Sequence, residues 1–264
     1  MKRLKQIFII IPHYNEKRRL GLFKKNFSNF LSTLQNNEIK IRNKYIYTFV
    51  FVCDGTEGID YYGKELNYIY DELYTKFISL KFSILHKEIF KNRGKGYALR
   101  FGILDLINIK KIKDYIWITD FDFPISANYF LEATKNIEDY NQSLVIGDRY
   151  YLPFLYKKDI REIIGKCFNL VVKILFFQLK SINDTQCPLK VMTYKTAKTV
   201  SKECKIRGFA FDVEFLVRFI KENGQKVSMV KVEFNNSNDS AVRIFRDSYR
   251  MLRDLLKLKY EGGF

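Results

Sequence analysis

Histidine is scarce in this 264-residue sequence, and cysteines in metal-binding pairs are absent. His13 and His86 sit at no ligand spacing, and Cys53, Cys167, Cys187 and Cys204 include no C-x-x-C pair. A zinc site is therefore not expected, and four scattered cysteines in a chain of this length read as reduced, cytosolic thiols. No apolar run reaches the roughly 18 to 20 residues that cross a bilayer. The run Ile7–Pro12 follows the charged Met1–Gln6 but is too short for a secretory signal. The expected location is the cytoplasm, in solution or lying on the cytoplasmic face of a membrane. Nor is there an internal repeat, a linker or a low-complexity segment.

Acidic residues are also in deficit. Twenty-nine stand against 46 Lys and Arg, leaving +17. Such an excess suits a nucleic acid, an anionic membrane surface or a phosphorylated substrate. Codon bias in an AT-rich genome also produces such a Lys-, Asn- and Tyr-rich composition. At 47% hydrophobic and 16% aromatic, the chain has ample material for a folded core. Its expected extent is one domain over 1–264 in three stretches, 1–124, 125–236 and a terminal helix over 237–264.

Four apolar runs, Ile7–Ile11, Tyr45–Cys53, Phe82–Leu85 and Tyr115–Thr119, read as strands buried on both faces. Helical spacing separates them. Leu20–Leu34 places Leu20, Phe23, Phe27, Phe30, Leu31 and Leu34 on one face, and Ile59–Phe77 and Gly96–Ile107 are similar. Strand alternating with helix predicts an α/β fold with a mostly parallel sheet, whose ligands bind beyond the carboxyl ends of the strands. Later segments predict a strand at Leu144–Gly147, an apolar helix over Ile163–Leu179 and a strand within Val227–Phe234. A last helix over Ala241–Lys259 carries Ile244, Phe245, Tyr249, Leu252, Leu255 and Leu256 opposite Arg243, Arg246, Arg250, Arg253 and Lys257. The Ile163–Leu179 helix fits either the core or a lipid interface.

Polar clusters fall at the strand ends: Pro12-His13-Tyr14-Asn15-Glu16, Asp54 and Asp120-Phe121-Asp122. Alternate residues of an extended chain project the same way, so Asp120 and Asp122 can converge and hold a hard divalent ion against nucleotide phosphates. Alone, a D-x-D reads more readily as a strand running into an acidic turn.

Taken in order, the clusters resemble family 2 glycosyltransferases of GT-A (Rossmann-like) fold, in particular the polyprenyl- and dolichyl-phosphate glucosyltransferase branch. Ile10-Ile11-Pro12-His13-Tyr14-Asn15-Glu16 is similar to V-I-P-x-Y-N-E, Val52-Cys53-Asp54-Gly55-Thr56 to V-D-D-G-S/T, and Asn92-Arg93-Gly94-Lys95-Gly96 to N-x-G-K-G. Asp120–Asp122 matches D-x-D, Val145–Arg149 resembles V-I-G-S-R, Asp184–Lys190 resembles D-T-Q-C-G-F-K, and Phe211–Glu214 matches F-D-V-E. The matches run from Ile7 to about Leu256. The departures are Cys53 for the first Asp of D-D-G, Asp148 for Ser, Pro188-Leu189 for Gly-Phe, and Phe123-Pro124 where some relatives carry a third metal ligand.

The resemblance implies an inverting, nucleotide-sugar- and metal-dependent hexosyltransferase that loads a sugar onto polyprenyl phosphate. Asp120 and Asp122 would hold Mg²⁺ or Mn²⁺, and Pro12, Tyr14, Glu16, Asp54, Gly94, Lys95 and Asp120 would receive the donor. UDP-glucose is favoured, with GDP-mannose or a UDP-N-acetylhexosamine as options. Arg149, Arg161, Lys190 and Arg243, with Asp184 and Gln186 shaping the loop, would meet the acceptor. A lipid phosphate is already an anion and needs cations more than a base. The alternatives are transfer to a glycan hydroxyl in capsule or lipopolysaccharide synthesis and, for lack of any recognition signature much less favoured, a nucleic-acid-binding protein. The basic terminal helix would touch an anionic membrane.

Overall fold

The structure, a computed structural model, describes residues 3–40, 44–56, 62–109, 113–149, 160–224, 227–234 and 244–261, with the side chains of 160–163, 223, 244 and 245 outside that description. Strand and helix alternate through β1 (Lys5–His13), α1 (Leu20–Lys40), β2 (Tyr45–Asp54), α2 (Gly63–Lys76), β3 (Phe82–Ile89), α3 (Lys95–Asp105) and β4 (Tyr115–Ile118). There follow α4 (Ala127–Tyr140), β5 (Leu144–Asp148), α5 (Ile160–Leu175), β6 (Lys190–Thr193), α6 (Tyr194–Glu203), α7 (Phe211–Asn223), β7 (Ser228–Lys231) and α8 (Ile244–Glu261).

The seven strands form one sheet in the order β3-β2-β1-β4-β6-β5-β7. Only β6 runs against its neighbours, pairing antiparallel with both β4 and β5. This mixed, mostly parallel sheet with helices on both faces is the predicted class. The continuous apolar runs are explained by that double cover. In β1, Ile7, Ile9 and Ile11 join the core under α1, α2 and α4. Phe8 and Ile10 point the other way, into the core shared with α3, α6, α7 and α8. Strand period two and two covered faces leave no polar position in between.

Several elements were not legible as strands or helices. α4 begins at Ser126, whose side chain accepts from Asn128 N, and α6 begins at Thr193, which accepts from Thr196 N. Both are ordinary N-cap signals followed by mixed sequence. The last helix buries only part of the stripe its spacing suggested, Leu255 alone among the described side chains of that stripe. Met251, Leu255 and Leu258 face the core, while Tyr249, Leu252 and Leu256 are exposed. α5 and the residue after it contribute Val172 and Phe176 to the core, whereas Leu170 and Ile174 are 60% and 73% exposed. All four cysteines are free, and no helix among the described residues is long and apolar enough to cross a membrane.

His13, the last residue of β1, is enclosed by Phe51, Tyr62 and Phe121, with Nδ1 2.8 Å from the Tyr62 hydroxyl. Burial, aided by His86, pushes its imidazole down from 6.5 to about 3. Below pH 6.5 the unfolded chain therefore takes up a proton that the folded one refuses. Stability is lost as the pH falls from 6.5 toward 3, by about 1.4 kcal/mol per unit from this group. Unfolding measured against pH should show a steeper acid slope for the wild type than for His13→Asn, by one proton. Equal slopes would contradict this assignment.

Candidate active site

The carboxyl ends of β1, β2 and β4 and the start of β6 lie along one rim, because β6 runs backwards and opposes Lys190 to both Ile118 and Ile146. One strand reversal thus brings a late segment beside the D-x-D.

Asp120 and Asp122 leave β4 on a turn whose alternate residues are anchored in the core. Phe121 stacks on Phe23 at 4.4 Å, and Phe123 stacks on Phe27 at 4.7 Å. Phe123 holds φ at +46°, a costly conformation for a bulky residue that the surrounding aromatic packing sustains. The Asn26 amide donates to the Asp122 carbonyl at 2.7 Å. The two carboxylates are therefore held on the side opposite the two rings.

Each carboxylate has a cation. Lys95 Nζ sits 2.6 Å from Asp120 Oδ1. Burial alone would raise Asp120, but Lys95, with Lys190 and Arg149 beyond it, holds the carboxyl below its usual value. Lys95 is raised despite its desolvation, by Asp120 first and then Asp212. Asp122 meets Arg19, whose Nη1 lies 3.4 Å away while the same guanidinium grips both oxygens of Glu16 at 2.5 Å. Arg19 belongs to no motif in the sequence reading. Its position three residues after Glu16, on one helical turn, was the available signal.

The donor-side residues fall around this pair. Pro12 is buried at the end of β1, Tyr14 is exposed and Glu16 is buried. Asp54, expected to contact a base, instead gives both carboxylate oxygens to the loop, accepting from Arg93 N at 2.9 Å and Gly94 N at 2.6 Å. Gly94 has φ +104°, and a Cβ there would lie 2.4 Å from the Arg207 carbonyl oxygen. The tight approach that the glycines permit is thus to the chain's own 206–208 backbone. Cys53 is a buried, neutral thiol, pushed up to about 12 by burial.

On the acceptor side, Arg149 is engaged by Asp184, with Nε and Nη2 at 2.5 and 3.0 Å from its two oxygens, and lies over the Phe234 ring. Gln186 donates its backbone N–H to Asp184. Lys190, expected to face the acceptor, is 1% exposed and bonded to Asp212 at 2.7 Å and to the Cys187 carbonyl at 2.8 Å. Its charge reaches Asp120 through space, but its ammonium is inside. Glu214 is spent on structure, accepting from Lys205 N, Ile206 N and Arg218. Arg161 lies in α5 with its side chain outside the described residues, and Arg243 lies outside them entirely.

The donor set of the acidic tip is two carboxylates without nitrogen or sulfur, which suits a hard ion such as Mg²⁺ or Mn²⁺. No group of three or more His, Cys, Asp or Glu side chains able to hold a metal occurs among the described residues. An ion here would complete its shell with diphosphate oxygens and water, as Mg²⁺ does in nucleotide sites.

A search against models of protein families matches none. Among solved structures, glucosyl-3-phosphoglycerate synthase from Mycobacterium tuberculosis, in complex with Mn²⁺, UDP and glucosyl-3-phosphoglycerate, superimposes with a TM-score of 0.64 at 9% identity, covering 97% of this chain and 80% of that one. The chain has the GT-A fold. Among curated proteins, dolichyl-phosphate beta-glucosyltransferase of Dictyostelium discoideum is 26% identical over 96% of this chain and 73% of its own length. The Mus musculus protein of that name is 26% identical over 98% and 77%, and that of Saccharomyces cerevisiae 24% over 95% and 73%. This GT-A chain thus spans about three quarters of each relative, consistent with a family 2 polyprenyl-phosphate glucosyltransferase-like protein.

Lys190 and Asp212 provide a direct test of the site's construction. Lys190→Met should cost about 3–5 kcal/mol by stranding a buried carboxylate. Lys190→Met/Asp212→Leu should recover most of that loss in denaturant unfolding. A double variant as unstable as the single one would refute the pairing.

Proposed function

We propose that this chain is an inverting glycosyltransferase that moves glucose from UDP-glucose to a polyprenyl phosphate. The observation that carries the reading is similarity to dolichyl-phosphate beta-glucosyltransferases along 95–98% of the chain, with motif residues gathered on one sheet rim. Pro12, Tyr14 and Glu16 receive the base and ribose, Asp54 sets the loop, and Lys95 stands over the diphosphate. Asp120 and Asp122 would hold the divalent ion. Bound there, it supplies Lewis-acid charge to the departing diphosphate.

A phosphate nucleophile arrives ionised, so the acceptor side must hold an anion without neutralising it. Arg149 carries a planar fork suited to phosphate oxygens, presently occupied by Asp184, and Arg161 and Arg243 are the further acceptor cations of this reading. Lys190 contributes its field from inside. Asp184 and Gln186 shape the loop that Arg149 meets.

Exposed side chains support a membrane face in this reading. Leu170, Ile174 and Phe177 on and after α5, and Tyr249, Leu252, Leu256 and Tyr260 on α8, are exposed apolar side chains. Lys166, Lys180, Arg246, Arg250, Arg253 and Lys257 are exposed on the same two segments. An apolar strip within a cationic border suits anionic lipid, at about 1 kcal/mol per basic residue near the surface.

Incubation with a panel of radiolabelled nucleotide sugars and a polyprenyl phosphate tests donor and acceptor together. UDP-glucose should deliver label to the organic phase, and Asp122→Asn should reduce the rate by about 10²-fold or more. Label confined to water-soluble glycans would overturn the acceptor assignment. Sedimentation with vesicles should show recovery on anionic lipid at low salt that declines with added salt. Equal recovery on neutral vesicles would count against the electrostatic part of the docking.

A further inference from the structure

Arg19 is a cation at the acidic tip that the motifs leave unexplained. It ends a short 3-10 turn, Lys17–Arg19, and its side chain is 15% exposed. Glu16 takes both prongs of the guanidinium at 2.5 Å, and Asp122 takes a longer contact at 3.4 Å. Asp120 is meanwhile held by Lys95 at 2.6 Å. Among the described residues, Glu16, Asp120 and Asp122 thus confront Arg19 and Lys95, and these five groups by themselves sum to one negative charge. A free divalent ion entering this largely compensated cluster would meet two cations already in contact with Asp120 and Asp122.

We propose that Arg19 is a displaceable counter-ion that closes Asp122 to a free divalent cation, so that metal enters with the nucleoside diphosphate and not before it. The proposal rests on the nucleotide-sugar reading of this cleft. The geometry identifies the mobile contact. Charge-assisted bonds of 2.5 Å anchor Arg19 to Glu16, whereas 3.4 Å to Asp122 is a weak link that can be given up without freeing the guanidinium. A nucleoside diphosphate reverses the sign of the cluster by adding several negative charges. Arg19 and Lys95 then have other oxygens to neutralise, and the Arg19 contact to Asp122 is released. Metal and nucleotide are coupled as a result, each raising the affinity for the other by the same factor. Arg19 is a positioning residue in this scheme, acting through Asp122.

Binding of Mn²⁺ to the purified chain, read from the electron paramagnetic resonance signal of the free ion, tests this without turnover. In the wild type, UDP should tighten Mn²⁺ by about tenfold or more. Arg19→Gln should bind Mn²⁺ alone about tenfold tighter than the wild type, and the enhancement by UDP should shrink correspondingly. Arg19→Lys, which keeps charge but loses the fork, should fall between the two and serves if the glutamine variant does not fold. If the folded variants bind Mn²⁺ alone no better than the wild type, Arg19 does not guard Asp122 and the proposal fails. Absence of Mn²⁺ binding in every protein even with UDP would sink the nucleotide-sugar reading itself, and this proposal with it.

Discussion

Two carboxylates on adjacent alternate positions cannot be held together at the edge of a buried sheet without compensating charge, and much of this cleft is arranged around that requirement. Lys95 reaches Asp120 from the start of α3, and Arg19 reaches Asp122 from the turn before α1. Each cation is itself fixed by another part of the chain. The Lys95 loop is clamped by Asp54 on one side and by the 206–208 backbone on the other. Arg19 is locked to Glu16. Charges from four separate segments are thereby made to depend on one another, as expected where low dielectric makes an unpaired ion expensive.

The acceptor side repeats the pattern one step deeper. Arg149 is paired with Asp184 and Lys190 with Asp212, so neither cation is idle. Buried ion pairs add little net stability compared with an apolar replacement, but breaking one is costly. Their value here lies in direction: they hold positive charge at fixed distance from Asp120, which feels both Lys190 and Arg149.

Much of the architecture was legible because a doubly covered parallel sheet writes itself as uninterrupted apolar runs. β1 and β2 followed from that pattern alone, and α1 from the helical spacing of its apolar face. β6 did not, because four residues beginning with a buried lysine carry no strand signature, and its reversal is set by its two neighbours. The rim positions of Asp54 and Asp120 were readable, but their partners were not. Asp54 turned to backbone amides, and Lys190 turned inward, because the partner of a charge depends on tertiary approach that spacing does not encode. Arg19 was missed for a related reason: one more arginine in a basic sequence has no distinguishing pattern until Glu16 and Asp122 are brought beside it. α8 hid its true buried stripe because apolar residues occupy two faces of the helix.

α1 joins chemistry to core in a way that constrains how such a chain can change. The turn before it supplies Glu16 and Arg19, and its first two turns supply Phe23 and Phe27, the rings on which Phe121 and Phe123 rest. A volume change at Phe23, wholly enclosed and far from solvent, would tilt the aromatic stack and with it the spacing of Asp120 from Asp122. Drift in the hydrophobic interior of this helix is thus coupled to ion geometry at the surface. Substitutions there would have to arrive in compensating pairs, one on the helix and one on the acidic turn.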